Sequence, residues 1–335
     1  MQGGVIKRRV YEDERLQQLI NEEVLGERLG PDTLDVLVER GVIGPLLDGE
    51  DVEFLNRFGI LRPAVELTGG ELRAGDTSAP ADLGRRENRR LVASRMMGER
   101  LEGGKLVYAG FFLGPESFYR QLRGMPEEQR RRIRMTSVLN VNHLFESGYL
   151  TERLKVLQRR HARFINACMM VTLSGAVVSD GLEDCRIVSG VGGQYNFVSQ
   201  AHELEGARSI LMCRATRTKG RQVLSNVVYS YGHTTIPRHL RDMVVTEYGI
   251  ADLRGKSDRE VVAALLNIAD SRFQSELLQR AKEARKIAAD YTIPDRFRHN
   301  TPERLADATR QLRREGVFPP FPFGTDFTRE EIVLG

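Results

Sequence analysis

Apolar positions recur at helical spacing from Tyr11 to Leu25 and again from Asp32 to Val42, where Leu34, Leu37 and Val38 share a face. Gly30-Pro31 separates the two, so each reads as its own helix. Residues 63 to 93 are polar and carry Gly69-Gly70 and Ala79-Pro80, which predicts an irregular excursion with short strands at most. From Leu101 short β-rich runs alternate with longer helical ones. Lys105–Phe112, Arg134–Val138, Ser209–Ala215, Val223–Tyr229 and Met243–Thr246 read as strands, and Ala162–Val178 as two apolar stretches broken near Ser174-Gly175. Pro115–Arg123, Asp258–Leu266, Arg272–Ile287 and Pro302–Arg314 read as helices, with Ser257 and Glu260 spaced for a capping box. Buried parallel strands read as short continuous apolar runs. The expected class is therefore α/β, a mostly parallel or mixed sheet flanked by helices and covered on both faces. Phe318-Pro319-Pro320-Phe321-Pro322-Phe323-Gly324 cannot continue a helix and is expected to clamp the terminus against the core, with an interface as the alternative.

Composition narrows this picture. With 335 residues, 41% hydrophobic and 29% charged, the chain is neither disordered nor a disulfide-stapled miniature. The pattern divides it into a helical and irregular segment, 1–100, and an α/β domain, 101–335. Basic runs such as Arg85-Arg86, Arg89-Arg90 and Arg130-Arg131-Arg132 have acidic neighbours, among them Glu87, Glu127 and Glu128. They read as solvated helix faces, and no interleaved stacking aromatics point to nucleic acid. Cys168, Cys185 and Cys213 show no CxxC spacing, so neither a metal site nor a disulfide framework is expected. No apolar run approaches the roughly 20 residues of a membrane span. The expectation is a cytoplasmic protein with no membrane partner.

Candidate chemistry concentrates in two segments. Ser189-Gly190-Val191-Gly192-Gly193-Gln194-Tyr195-Asn196-Phe197 lies between an expected strand, Arg186–Val188, and a helix running through Leu204. Backbone amides offered at such a helix start can hold an anion or a developing oxyanion, although a tight turn with a packing role has the same composition. No glycine completes a GxGxxG fingerprint, and the P-loop Lys is missing, which disfavours NAD and ATP. The second segment holds Tyr231-Gly232-His233 and Val244-Val245-Thr246-Glu247-Tyr248-Gly249. His233 could donate to a thioester oxygen or a phosphate, or be structural. Glu247 follows a strand, where ligand-facing side chains gather in open α/β sheets, but could equally accept local amides. Lys256 with Arg254 could meet phosphate groups or be surface charge. Tyr195, Phe197 and Tyr248 could cover an adenine or pantetheine arm or belong to the core.

Ser189 to Phe197, then Gly206-Ala207-Arg208-Ser209-Ile210, then Val244 through Lys256 (VVTEYGIADLRGK) together resemble the C-terminal half of the acetyl-CoA hydrolase/transferase family. The likeness covers about 100 to 330, with 12 to 100 resembling an insertion of a long branch. It implies an acyl-CoA hydrolase or CoA-transferase acting on a short-chain acyl-CoA such as acetyl-CoA, with coenzyme A as substrate, no tightly bound cofactor and no metal. It further implies oxyanion or CoA-proximal backbone contacts from Gly192 and Gly193 and an acyl and pantetheine lining from Gln194, Tyr195 and Asn196; the residues' own chemistry adds Glu247 as a catalytic candidate and Gly190, His233 and Lys256 as candidate CoA contacts. The nucleophilic glutamate of the family sits in an S/T-E-M motif. Met1 to Arg8 resembles the turn after that motif, and Glu27 in Gly26-Glu27-Arg28-Leu29 is an imperfect substitute. The resemblance therefore implies that the glutamate comes from an N-terminal half, on a partner chain or in a homo-oligomer. The alternative is a CoA-binding or regulatory subunit without chemistry.

Overall fold

The computed structural model describes residues 8–145 and 148–334. The chain forms two compact units, Met1–Gln158 with Gly324–Gly335, and Arg159–Phe323. The division falls between Gln158 and Arg159, whereas the sequence pattern placed a boundary at 100/101. A reason for the difference is that the hydrophobic core of the first unit lies within Tyr11–Leu101, while its remaining elements bury few apolar side chains.

In the first unit, α1 (Glu14–Asn21) is capped by Asp13 and α2 (Thr33–Glu39) follows the Gly30-Pro31 break. Leu16, Leu34 and Leu37 are fully buried, as helical spacing requires. α3 (Gly49–Arg57) starts with a capping box between Asp48 and Asp51. The polar excursion is more ordered than expected. β1 (Glu66–Thr68), β2 (Glu71–Ala74) and β3 (Thr77–Pro80) form an antiparallel meander, and α4 (Arg86–Met96) follows. Only Val92 and Met96 of α4 are buried, so its sequence carries little helical periodicity. The expected strands at 105–112 and 134–138 shrink to β4 (Val107–Ala109) and β5 (Ile133–Met135), paired in parallel. Between and after them come α5 (Glu116–Arg123), α6 (Glu127–Arg130), α7 (Val138–Asn142) and α8 (Glu152–Gln158).

The second unit is built on a four-stranded mixed sheet. β6 (Arg163–Ala167) pairs in parallel with β9 (Arg208–Met212), β9 in parallel with β13 (Met243–Thr246), and β13 antiparallel with β14 (Gly249–Asp252). A three-stranded sheet joins β7 (Met170–Thr172), β8 (Val177–Val178) and β12 (Val227–Val228), and β10 (Thr216–Lys219) forms a hairpin with β11 (Gln222–Ser225). The apolar run 223–229 is thus cut at Asn226, a buried side chain that donates to the Arg214 carbonyl. β7 and β8 turn at Ser174-Gly175, where Gly175 takes φ +86. The helices α9 (Gln194–Glu203), α10 (Asp258–Asn267), α11 (Ser271–Glu283) and α12 (Pro302–Arg314) match the sequence pattern closely, and the Ser257/Glu260 capping box forms.

Three expectations fail in this unit. Arg186–Val188 makes no strand. Ile187 forms a lone bridge to Gly181, because Ile187 and Val188 stay exposed and have no sheet to join. The Phe318–Phe323 segment is not buried in a core; Phe318 and Phe323 are 53% and 86% exposed, and α12 before them buries no residue. The main sheet is covered on one face. α9 packs on β6 and β9, and α10 on β14, over the side holding Leu211, Val244 and Ala251. On the other side Ile165, Met212 and Ile250 are 58%, 43% and 67% exposed.

A candidate thioester site at one sheet edge

Because β6, β9 and β13 are parallel, their C-terminal ends share one edge of the sheet. Open α/β sheets bind ligands at that edge, where loops leave the strands and helices begin. The connection from β6 to β9 returns through α9, so the N-terminus of α9 belongs to this edge. Gln194, the first residue of α9, fixes it there. Its side chain is buried, and Nε2 donates to the Ala167 carbonyl at the end of β6, 2.9 Å away. Phe197, one turn on, stacks at 5.7 Å on Phe164 of β6, which makes it a packing residue rather than a lid.

The glycine loop before α9 is open. Gly190 and Gly192 would carry a Cβ into empty space, and Gly192 takes φ +60, a conformation that favours glycine. Gly193 is the N-cap residue and offers no side chain to satisfy the first helical amides. Tyr195 is half-exposed, and Asn196 is partly buried beside it. The arrangement is an unblocked set of backbone donors with the positive end of the helix dipole behind it, suited to an oxyanion or phosphate.

Glu247 follows the last residue of β13 at the same edge. Its Oε2 accepts from the Ala215 amide at 2.8 Å, and the residue is otherwise exposed. The amide-accepting reading of Glu247 is thus observed, and its place at the strand end leaves the carboxylate exposed at the rim. Tyr248 turns the other way, donating to Asp270 at 3.0 Å, and burial pushes its phenol pKa up. Tyr248 is therefore structural.

His233 is brought beside the glycine loop by a residue that sequence reasoning missed. Asp180, at the end of the segment after β8, holds the His233 Nε2 at 3.0 Å and also accepts from the Thr235 hydroxyl. Its own carbonyl accepts the amides of Val188 and Ser189, which ties the base of the glycine loop to the same point. The Ser179-Asp180-Gly181 sequence is a weak signal for it. Gly181 has no side chain because a Cβ there would lie 2.5 Å from the imidazole. Hydrogen bonds from Thr235 and His233 hold the Asp180 carboxyl below its usual range. A depressed folded-state pKa adds stability above the unfolded value of about 4, and the contribution is lost as pH falls through the folded pKa. Asp180→Asn is expected to lower the urea midpoint at pH 7 and to converge with the parent protein as pH falls below the usual carboxylate range and through the depressed pKa. Parallel midpoint curves across that range would contradict the assignment.

Arg254 is not available to a phosphate. Its guanidinium donates to the carbonyls of Ala207 and Ala201 and, at 2.6 Å, to the buried Asp242 carboxylate. Lys256 is partly buried, and its carbonyl accepts from Arg241. Glu27 lies in the first unit, its carboxylate 3.6 Å from Arg9 and 3.8 Å from Arg100. Among the described residues no three His, Cys, Asp or Glu side chains gather as a metal site, and no helix is long and apolar enough to cross a membrane.

The profile of the acetyl-CoA hydrolase/transferase C-terminal domain matches residues 114–281. The chain belongs to this family. Among its curated relatives, the 4-hydroxybutyrate coenzyme A transferase of Clostridium kluyveri is 30% identical over 184 residues, 55% of this chain and 39% of that protein. A probable butyrate:acetyl-CoA coenzyme A-transferase of Syntrophomonas wolfei is 36% identical over 122 residues, 36% of this chain and 27% of the relative. The chain therefore spans about two fifths or less of the length of the family members it matches. The crystal structure of RipA from Yersinia pestis aligns over 55% of this chain and 38% of its own, at 30% identity and a TM-score of 0.45. The matched segment contains the glycine loop, Asp180, His233 and Glu247.

Proposed function

We propose that this chain provides the CoA-thioester side of an acyl-CoA transferase or hydrolase acting on short-chain acyl groups such as acetyl. The observation that carries the reading is the open N-terminus of α9, placed by Gln194 at the strand edge that also holds Glu247. In this reading the amides of Gly192 and Gly193 receive the thioester oxygen as it becomes an oxyanion. Tyr195 and Asn196 border the acyl and pantetheine path, and Gly190 lets the backbone approach the coenzyme. His233, oriented by Asp180, donates to the thioester or phosphate region, and Lys256 supplies positive charge near the phosphates.

The attacking carboxylate belongs to a glutamate of an N-terminal half that lies outside these 335 residues. It forms an acyl-glutamyl anhydride with release of CoA thiolate, which then attacks the glutamyl carbonyl to give a glutamyl-CoA thioester and free acid. The uncovered sheet face around Ile165, Met212 and Ile250 supports a docking partner, since apolar side chains at that density are costly to leave in water. Coenzyme A remains a substrate throughout, with no resident cofactor.

Peptide mapping by mass spectrometry after incubation with acetyl-CoA tests this. The purified chain is expected to bind CoA in calorimetry and to show no stoichiometric glutamyl adduct. A stoichiometric adduct on Glu27 or Glu247 would place the nucleophile on this chain and overturn the split-site part of the proposal. Absence of CoA binding would overturn the whole, including the alternative of a non-catalytic CoA-binding subunit.

A further inference from the structure

We propose that the first unit carries a separate site for a small polyphosphate anion. A cleft of about 670 Å3 is lined by Arg9, Arg57, Arg100, Lys105, Arg131 and Arg132. These cations come from four stretches of sequence that show no common pattern. The fold brings them together through the pairing of Val10 with Lys105 and the hydrogen bonds from Leu106 and Val107 to the Arg132 carbonyl.

The charge does not cancel locally. Two carboxylates, Glu102 and Glu128, line the cleft, and Glu27 and Glu127 are the remaining ion-pair partners of its arginines. Among the described residues, six cations therefore face four carboxylates. Glu27 is shared between Arg9 and Arg100 at 3.6 and 3.8 Å, too long for strong hydrogen bonds, so both guanidiniums keep donors to offer. Lys105 is positioned by a bond from Nζ to the Arg131 carbonyl at 2.8 Å. Between these side chains lie Gly103, at φ +76, and Gly104, whose missing Cβ would sit 3.0 Å from the Tyr11 ring. The glycine pair lets the backbone close on the buried Tyr11 and Phe58. Guanidiniums present forked donors that match phosphate oxygens, and several converging on one cleft favour a ligand with more than one phosphate.

A nucleic-acid strand fits less well. No aromatic side chain lines the cleft, so it lacks a stacking surface for bases, and its volume suits a compact ligand.

Calorimetric titration of the full chain with inorganic pyrophosphate is the test, with orthophosphate, ADP, coenzyme A and a single-stranded oligonucleotide as further arms. Saturable pyrophosphate binding is expected, at least ten-fold tighter than orthophosphate. The double variant Arg100→Ala/Arg131→Ala should weaken it ten-fold or more. Arg86→Ala/Arg90→Ala, which removes the same charge from exposed positions of α4 outside the cleft, should leave it within two-fold. Lys105→Ala gives an independent check if the double variant unfolds. Equal weakening by both double variants, no saturable binding, or tighter binding of the oligonucleotide than of pyrophosphate would overturn the proposal. ADP binding with the cleft's mutational pattern marks a nucleotide as the natural source. Coenzyme A binding with that pattern marks the coenzyme instead. The pyrophosphate arm uses neither a thioester nor turnover, so its result stands apart from the fate of the thioester site.

Discussion

Asp242→Ala is expected to destabilise the second unit by about 3–5 kcal/mol, the cost of breaking a buried charge cluster by removing one partner. The Asp242 side chain is wholly buried at the end of the loop entering β13. Its Oδ1 takes Nε and Nη2 of Arg208 at 2.8 and 2.7 Å, and its Oδ2 takes Arg254 Nη2 at 2.6 Å and the Ser209 amide at 2.7 Å. One carboxylate thus bonds two guanidiniums and the Ser209 amide of β9. Arg208 has a second partner in Asp252 at 2.6 Å, while Arg254 also reaches the carbonyls of Ala201 and Ala207. Removing Asp242 leaves Arg254 without a carboxylate in a partly buried position and loosens the strands that set the thioester edge. Urea unfolding of the two proteins measures the effect. A loss below about 1 kcal/mol, the range of an exposed ion pair, would show that the cluster is screened by water rather than held in the core.

The second large effect concerns the glycine loop. Gly192→Ala is expected to slow acyl exchange, measured with the complementing half present, by about 100- to 1000-fold, the loss typical of one displaced oxyanion donor. Its φ of +60 costs an alanine about 1–2 kcal/mol and turns the peptide toward another conformation, moving the amides of 192 and 193 together. Gly316→Ala, just after α12, is the matched control. It carries the same left-handed strain, at φ +72, with open space where the methyl would go and no place in the site, so exchange and CoA affinity should stay within a few-fold of the parent. Equal losses in both variants would mean that backbone strain in general, and not the direction of two amides, sets the rate.

Much of the second unit could be read from the sequence because its signals are local. The capping box at Ser257, the proline start of α12 and the small apolar runs of β9 and β13 each specify an element without help from distant residues. The glycine loop was legible for the same reason. What was not legible depends on pairing across the fold. Asp180 and His233 lie 53 residues apart and form one unit through a hydrogen bond. The sequence leaves Arg254 open between phosphate contact and surface charge, and neither reading contains its acceptors Ala201, Ala207 and Asp242. The open sheet face was hidden too, since a run such as Ser209 to Ala215 is apolar whether one side or both sides are covered. In the first unit α4 escaped detection because a helix that buries two side chains leaves almost no periodic trace.

The three parallel strands that end together at Ala167, Met212 and Thr246 hand every exit loop to a single rim, while the residues that hold the strands face the opposite side or lie at their entry. Loop sequences on that rim can therefore drift, lengthen or shorten with little penalty to folding. Under the proposed function, ligand preference would then be set by loops that can change while the supporting framework stays the same.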